Sequence, residues 1–118
     1  MTSPAHILSV GRDPALMYSR TLLLRNAGYS VQEALTLDKA KDLVYSDSID
    51  VTLLCHTLPE SDQRLLIFLI RQKRRLMPIL WIRSYEHQSA PRTCIAVDNA
   101  PEALLQCLQS VMQSPLAQ

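Results

Sequence analysis

Cys55 stands where an apolar run, IDVTLLC over 49–55, gives way to the polar segment HTLPE. A thiol at such a junction can sense oxidants or act as a nucleophile when nearby cations favour its thiolate. Two arginines occupy comparable junctions. Arg12 follows AHILSVG (5–11), and Arg83 lies just before the end of PILWIRS (78–84). Together with Cys55 they define a possible redox or small-anion centre, the anion held by the two guanidinium groups. Each residue also has a plainer use. Cysteine packs well as a small buried apolar group at a strand end. The arginines can pair with a local carboxylate such as Asp13 or Glu60, or reach solvent. The chain has only two glycines and no glycine-rich phosphate loop. His6, His56 and His87 are scattered, and Cys55, Cys94 and Cys107 show no CxxC or Cys/His ligand spacing. No nucleophile, base and orienting group can be assembled, so an enzyme is not expected.

The elements that would position these residues alternate in type. AHILSVG (5–11) is a β-leaning run. DPALMYSRTLLLRNAG (13–28) reads as a helix, with Asp13 as cap, Pro14 in its first turn and Gly28 as its stop. Its core face is expected to be Leu16, Leu23, Leu24 and Ala27. YSVQEA (29–34) is a second strand, TLDKAKDLVYSDS (36–48) a helix capped by Thr36, and IDVTLLC a strand apolar enough to be covered on both faces. SDQRLLIFLIRQKRRL (61–76) is a third helix, PILWIRS a fourth strand, TCIAV (93–97) a weaker fifth, and APEALLQCLQSVMQ (100–113) a closing helix. Such alternation argues for an α/β fold with a parallel sheet and helices on both faces. The carboxyl ends of its strands then gather Gly11, Arg12, Asp13, Cys55, His56, Arg83 and Ser84 on one edge.

The bulk properties set limits. At 118 residues and 47% hydrophobic content the chain is expected to form a single domain with a real core over 1–118, residues 114–118 serving as a flexible tail or linker start. A net charge of +1 argues against a strong field toward nucleic acid or anionic membrane. The basic run RQKRR (71–75) lacks interleaved aromatics, so direct nucleic-acid binding is not expected. The cysteine pattern fits a reducing cytoplasm. MTSPAHILSVG is neither basic nor apolar enough to be expected as a signal peptide, and LLIFLI (65–70) is too short to span a bilayer.

Taken in order, these pieces resemble the receiver domains of bacterial two-component response regulators, the CheY-like family, over nearly the whole chain. ILSVGRDPALMYSRTLLLRNAGYSV resembles that family's opening strand, first helix and AGY turn. DVTLLCHTLPE resembles its phosphoacceptor strand with the loop proline at Pro59, PILWIRS its fourth strand, and PEALLQCLQSVM its last helix. The resemblance implies a three-layer, doubly wound, five-stranded sheet in the order 2-1-3-4-5. It also implies a pocket whose chemistry has been lost. The family's Mg²⁺-binding acidic pair falls on Gly11 and Arg12, leaving Asp13 as the outer acid. Its phosphoacceptor aspartate falls on Cys55, its Ser/Thr on Arg83, and its lysine near Val97 or Asp98. A hard divalent ion wants several oxygen ligands; glycine and arginine side chains supply none. Without the metal nothing neutralises a transferring phosphoryl group. The expectation is a pseudo-receiver in bacterial signalling or transcriptional regulation, with no Mg²⁺ and no cofactor. Residual phosphotransfer is the remaining alternative.

Only YEHQSAPR (85–92) separates the fourth and fifth strands, where the family has a full helix. Eight residues containing Pro91 cannot hold that helix and both its loops, so the helix is expected to be missing or reduced to a turn. Part of one sheet face then lacks cover. In the third helix, Leu66, Ile67 and Ile70 share an arc toward the sheet, while Leu65, Phe68, Leu69 and Leu76 form a second apolar arc, with Arg64, Arg71 and Arg75 between. Leu65, Phe68, Leu69, Leu76 and Tyr85 make the candidate surface for a protein partner or self-association, unless 85–92 folds down over it. Tyr18 and Leu22 form a smaller second patch on the first helix.

Overall fold

The computed structural model describes residues 5–46, 48–84 and 89–112. The elements are β1 (His6–Val10), α1 (Pro14–Asn26), β2 (Ser30–Ala34), α2 (Leu37–Val44), β3 (Val51–Cys55), α3 (Glu60–Lys73), β4 (Ile79–Arg83), β5 (Ile95–Asp98) and α4 (Pro101–Met112). The five strands form one sheet in the order β2-β1-β3-β4-β5, and every neighbouring pair is parallel. The expected α/β architecture and strand order are what the chain adopts.

Side chains alternate across the strands, so each face has its own core. Ile7, Val51, Leu53, Leu80, Ile82 and Val97 pack with Leu24 of α1 and with Leu104 and Leu108 of α4. Leu8, Val10, Leu54, Ile79 and Trp81 pack with α2 and α3 through Ala40, Val44, Leu66 and Ile70. Central β3 is buried along its whole length, as its uninterrupted apolar run requires. Each such aliphatic side chain contributes about 1.5–3 kcal/mol when removed from water.

The caps follow the sequence. Asp13 Oδ1 accepts from the Ala15 and Leu16 amides, Pro14 opens α1, and Thr36 Oγ1 accepts from Lys39 N at the start of α2. Gly28 takes φ +98°, the left-handed conformation that stops α1 at little steric cost. Other boundaries and faces differ from expectation. The buried side of α1 is Met17, Arg20, Thr21 and Leu24, while Leu16 and Leu23 are half-buried and Ala27 is exposed. Polar partners explain the rotation: Thr21 Oγ1 donates to Glu33 of β2, and Arg20 Nη2 donates to Asn99 Oδ1 at 3.0 Å. Helix α3 starts at Glu60 after Pro59, with no side-chain cap, and ends at Lys73, before Leu76. Helix α2 ends at Val44, earlier than the expected 48.

Two polar connections hold α3 in place. Trp81 Nε1 donates to Gln63 Oε1 at 2.6 Å, and Gln63 Nε2 donates to the Leu58 carbonyl at 2.6 Å, so a buried indole and amide satisfy one another. At the other end Arg71 Nη1 donates to the carbonyls of Arg74, Arg75 and Met77, the last at 2.7 Å, and Nη2 donates to the Thr93 carbonyl at 2.7 Å. One guanidinium thus closes the α3 C-terminus and ties it to the segment leading into β5. Described residues 84 and 89–94, between β4 and β5, contain no helix. Ala90 and Cys94 instead pack against the core on the α2–α3 side, so this segment does fold down over part of the open face. Residues 85–88 and 113–118 lie outside the described residues, and with them Tyr85, His87 and the expected tail.

Arg71→Met removes these charge-assisted bonds and is expected to lower unfolding stability by about 1–3 kcal/mol. Urea denaturation would show the transition midpoint falling with an unchanged slope. Arg71→Lys recovers only part of the loss, because an ammonium cannot reach both segments in the geometry of the fork.

Candidate functional site

The carboxyl ends of β1, β3, β4 and β5 bring the singled-out residues to one edge of the sheet. At the end of β1, Gly11 is buried and its amide donates to the Ala34 carbonyl at 3.1 Å. A Cβ at this position would lie 2.8 Å from Cys55 Cβ, 2.8 Å from Met17 Sδ and 3.0 Å from Thr57 Oγ1. The β1 backbone therefore rests directly on the end of β3. Any side chain at position 11, including a metal-binding carboxylate, would have to displace that packing.

Thr57 completes the closure. Its hydroxyl accepts from Arg12 N at 2.9 Å and donates to Cys55 Sγ at 3.3 Å. Leu58 N donates to the Cys55 carbonyl at 3.1 Å, a turn that folds Thr57 back over the strand end. Cys55 is buried, with its Sγ 3.9 Å from His56 Nδ1. Sequence reasoning missed Thr57 and Met17, because only the third dimension shows that position 11 has no space. Burial and a hydroxyl contact give Cys55 the plainer of its two roles, a packed strand end.

The charges are also committed locally. Asp13 spends its Oδ1 on the first turn of α1. Arg83 Nε donates to Asp98 Oδ1 at 2.6 Å, and the two residues are register partners on β4 and β5. Thus the expected partners of Arg83, Asp13 or Glu60, give way to Asp98, while Glu60 pairs with Arg64. Both pairs are at least partly in solvent, so each contributes at most about 1 kcal/mol. The Arg83–Asp98 pair joins opposite charges at position 83, where the resemblance expects a hydroxyl, and at 98, one of the two positions, Val97 or Asp98, near which it expects a lysine. Val97 points to the other face, buried against the α1–α4 core.

These residues do not fit a divalent ion. Position 11 has no room, position 55 offers a thiol, and the carboxylates of Asp13 and Asp98 already serve an N-cap and an arginine. Among the described residues no three His, Cys, Asp or Glu side chains are grouped as metal ligands. The other two thiols, Cys94 and Cys107, are half-buried. Burial pushes the Cys94 thiol above its ordinary value, a rise offset in part by the Arg71 charge and a hydrogen bond with Thr93. Burial pushes the Cys107 thiol up as well.

Beside this edge, a cavity of about 650 Å³ opens between α3 and the 89–91 segment, lined by Thr57, Pro59, Gln63, Trp81 and Ala90 among others. On α3, Leu65 and Phe68 are 42% and 57% exposed, and Leu76 in the turn beyond is 90% exposed. Leu69 is half-buried and does not belong to the exposed set. Tyr18 and Leu22 are exposed on α1. Within the basic run, Arg71 is absorbed by carbonyls and Lys73 Nζ sits 5.3 Å from the centre of the Tyr45 ring. No helix among the described residues is long and apolar enough to cross a membrane.

No family model and no curated protein matches the sequence. Solved structures do match the fold. The receiver domain of the hybrid histidine kinase CckA superposes with a TM-score of 0.77 at 22% identity, covering 92% of this chain and 100% of that one. Vibrio cholerae chemotaxis protein CheY4 gives 0.79 at 21% identity, covering 92% and 98%. The Thermotoga maritima response regulator TrrA bound to Mg²⁺–BeF gives 0.77 at 18% identity, covering 91% and 98%. TrrA in complex with the histidine kinase ThkA gives 0.78 at 17% identity, covering 92% and 99%. The chain has the receiver-domain fold.

Gly11→Ala is expected to cost about 1–3 kcal/mol through overpacking against Cys55 and Met17, read as a lower thermal midpoint. The same experiment on Gly11→Asp should show a larger loss, since the carboxylate must also be accommodated. Iodoacetamide should leave Cys55 unmodified in the folded protein. Labelling of Cys94 and Cys107 should rise with pH along a curve centred above 9.0, because their protonated forms are favoured in the fold.

Proposed function

We propose that this chain is a phosphorylation-independent pseudo-receiver domain that acts by protein contact and has no catalytic role. The observation that carries this reading is the closed junction at Gly11. A thiol stands in the phosphoacceptor position, and the space for a metal-binding carboxylate is filled by Cys55, Met17 and Thr57. Phosphoryl transfer in this fold relies on a cation to neutralise developing charge, and the local donors are already engaged.

A domain with this fold and no transfer chemistry works through its surfaces. Exposed Leu65 and Phe68 lie three residues apart on one face of α3, and Leu76 is exposed in the turn after the helix; the described residues between β4 and β5 contain no helix. Large exposed apolar groups in a cluster favour association, and covering each one contributes about 1.5–3 kcal/mol before the costs of association. The TrrA neighbour was solved with a kinase partner; extending partner binding to this chain is part of the proposal. The setting that fits is bacterial signalling or transcriptional regulation in the cytoplasm, with the output set by partner occupancy or self-association. The Cys55-centred redox or anion reading gains no support from a buried thiol and an Arg83 bound to Asp98.

The direct test is incubation with acetyl phosphate and millimolar Mg²⁺ followed by intact-mass measurement. An unmodified chain is expected; a phosphorylated species that depends on Mg²⁺ overturns the proposal. For the surface, light scattering over a dilution series is compared between the parent chain and Leu65→Glu/Phe68→Glu. Concentration-dependent assembly that the double variant abolishes, while remaining folded, supports the α3 face. Assembly that survives in the variant excludes it.

A further inference from the structure

Arg20 has no part in the junction described above. It lies on the sheet-facing side of α1 and is only 7% exposed. Its Nη2 donates to a neutral acceptor, Asn99 Oδ1. Its Nη1 is enclosed and has no hydrogen-bond partner among the described residues. Taking a guanidinium out of water without an anion to meet it is unfavourable, and buried charges are ordinarily paired. Asp98, the carboxylate nearest to hand in the same cavity lining, gives its Oδ1 to Arg83 instead.

Arg20 lines a cavity of about 470 Å³ between α1, the ends of β4 and β5, and the first turn of α4. That volume is in the range of small-ligand sites, roughly 300–1,000 Å³. The walls are largely apolar, with Leu16, Leu23, Ile82 and Leu104. Ala100 and Pro101 also line it, so the cavity meets the N-terminal end of a twelve-residue helix, where the backbone carries partial positive charge. An apolar chamber containing a half-satisfied buried cation and a helix N-terminus is suited to an amphiphilic anion.

We infer that this cavity binds a small organic carboxylate with an apolar body. The carboxylate meets Arg20 Nη1, and the body lies among Leu16, Leu23, Ile82 and Leu104. Nη1 is enclosed in the unliganded chain, and the guanidinium is held through Nη2, so binding requires the Arg20 side chain to turn and bring Nη1 to the carboxylate. Occupancy is felt at the old phosphorylation edge, because Asp98 belongs both to this lining and to the Arg83 pair, and Ile82 directly precedes Arg83. The site is independent of whether the chain accepts phosphate.

The test uses the full chain, isotopically labelled, with octanoate as probe and 1-octanol as its uncharged counterpart. Amide spectra are recorded for the parent chain, for Arg20→Met and for Ser19→Trp, the last an exposed position whose enlargement fills the cavity mouth. Saturable shifts are expected on α1 and on Asp98–Leu104, with octanoate favoured over octanol by about ten- to a hundredfold, as a hydrogen bond to a charged group allows. Arg20→Met should erase that preference and leave octanol binding in place; Ser19→Trp should weaken both. If Arg20→Met does not fold, the parent comparison and Ser19→Trp decide. Equal affinity for the two probes, shifts centred away from α1 and α4, or no saturation would overturn the inference.

Discussion

The close approach of Gly11 to the end of β3 is the contact on which the functional reading depends. With hydrogen at position 11, β1 and β3 meet through a backbone, a cysteine Cβ, a thioether and a hydroxyl, all near van der Waals or hydrogen-bond distance. Protein interiors tolerate little extra volume. A carboxylate restored here by one substitution would have to push its neighbours aside, since its Cβ would lie 2.8 Å from Cys55 Cβ and from Met17 Sδ and 3.0 Å from Thr57 Oγ1. The receiver fold ordinarily places its reactive groups on this edge. In this chain the β1–β3 junction on that edge is filled by packing, Arg83 pairs with Asp98 across β4 and β5, and Asp13 caps α1.

The second constraint is on the flank of β4 and β5, where the described residues of the connection contain no helix. Two features cover and tie down this side. Ala90 and Cys94 fold onto the core, and Arg71 bonds carbonyls at the end of α3 and at Thr93 together. Thr93 takes φ +70°, uncommon for a β-branched residue, next to that tie. Helix α3 nevertheless keeps Leu65 and Phe68 exposed to solvent.

Much of this was legible in the residues. Alternating apolar runs and caps at Asp13 and Thr36 gave the order of elements, because hydrophobic period and capping chemistry are local properties. That positions 11 and 12 carry no carboxylate is equally legible, since side-chain type alone decides whether a metal ligand exists. What was hidden depends on partners distant in sequence. Arg83 found Asp98 through strand register, which no local pattern encodes. Thr57 and Met17 fill the junction from a turn and a helix that flank different strands. The buried side of α1 turned toward Arg20 and Thr21 because Asn99 and Glu33 await them there, an arrangement that apolar periodicity counts against. Leu76 was placed on α3 by extending its period through a basic run that instead ends the helix at Lys73.

The most direct measurement is a Mn²⁺ titration of the labelled chain, with the paramagnetic ion standing in for Mg²⁺ and amide broadening reporting its position. A sealed junction leaves the amides of Gly11, Arg12 and Cys55 no more broadened than those of other surface loops up to millimolar ion. Saturable broadening centred on those three amides, reversed by Mg²⁺, would mean that the edge still binds a divalent cation and would contradict the reading.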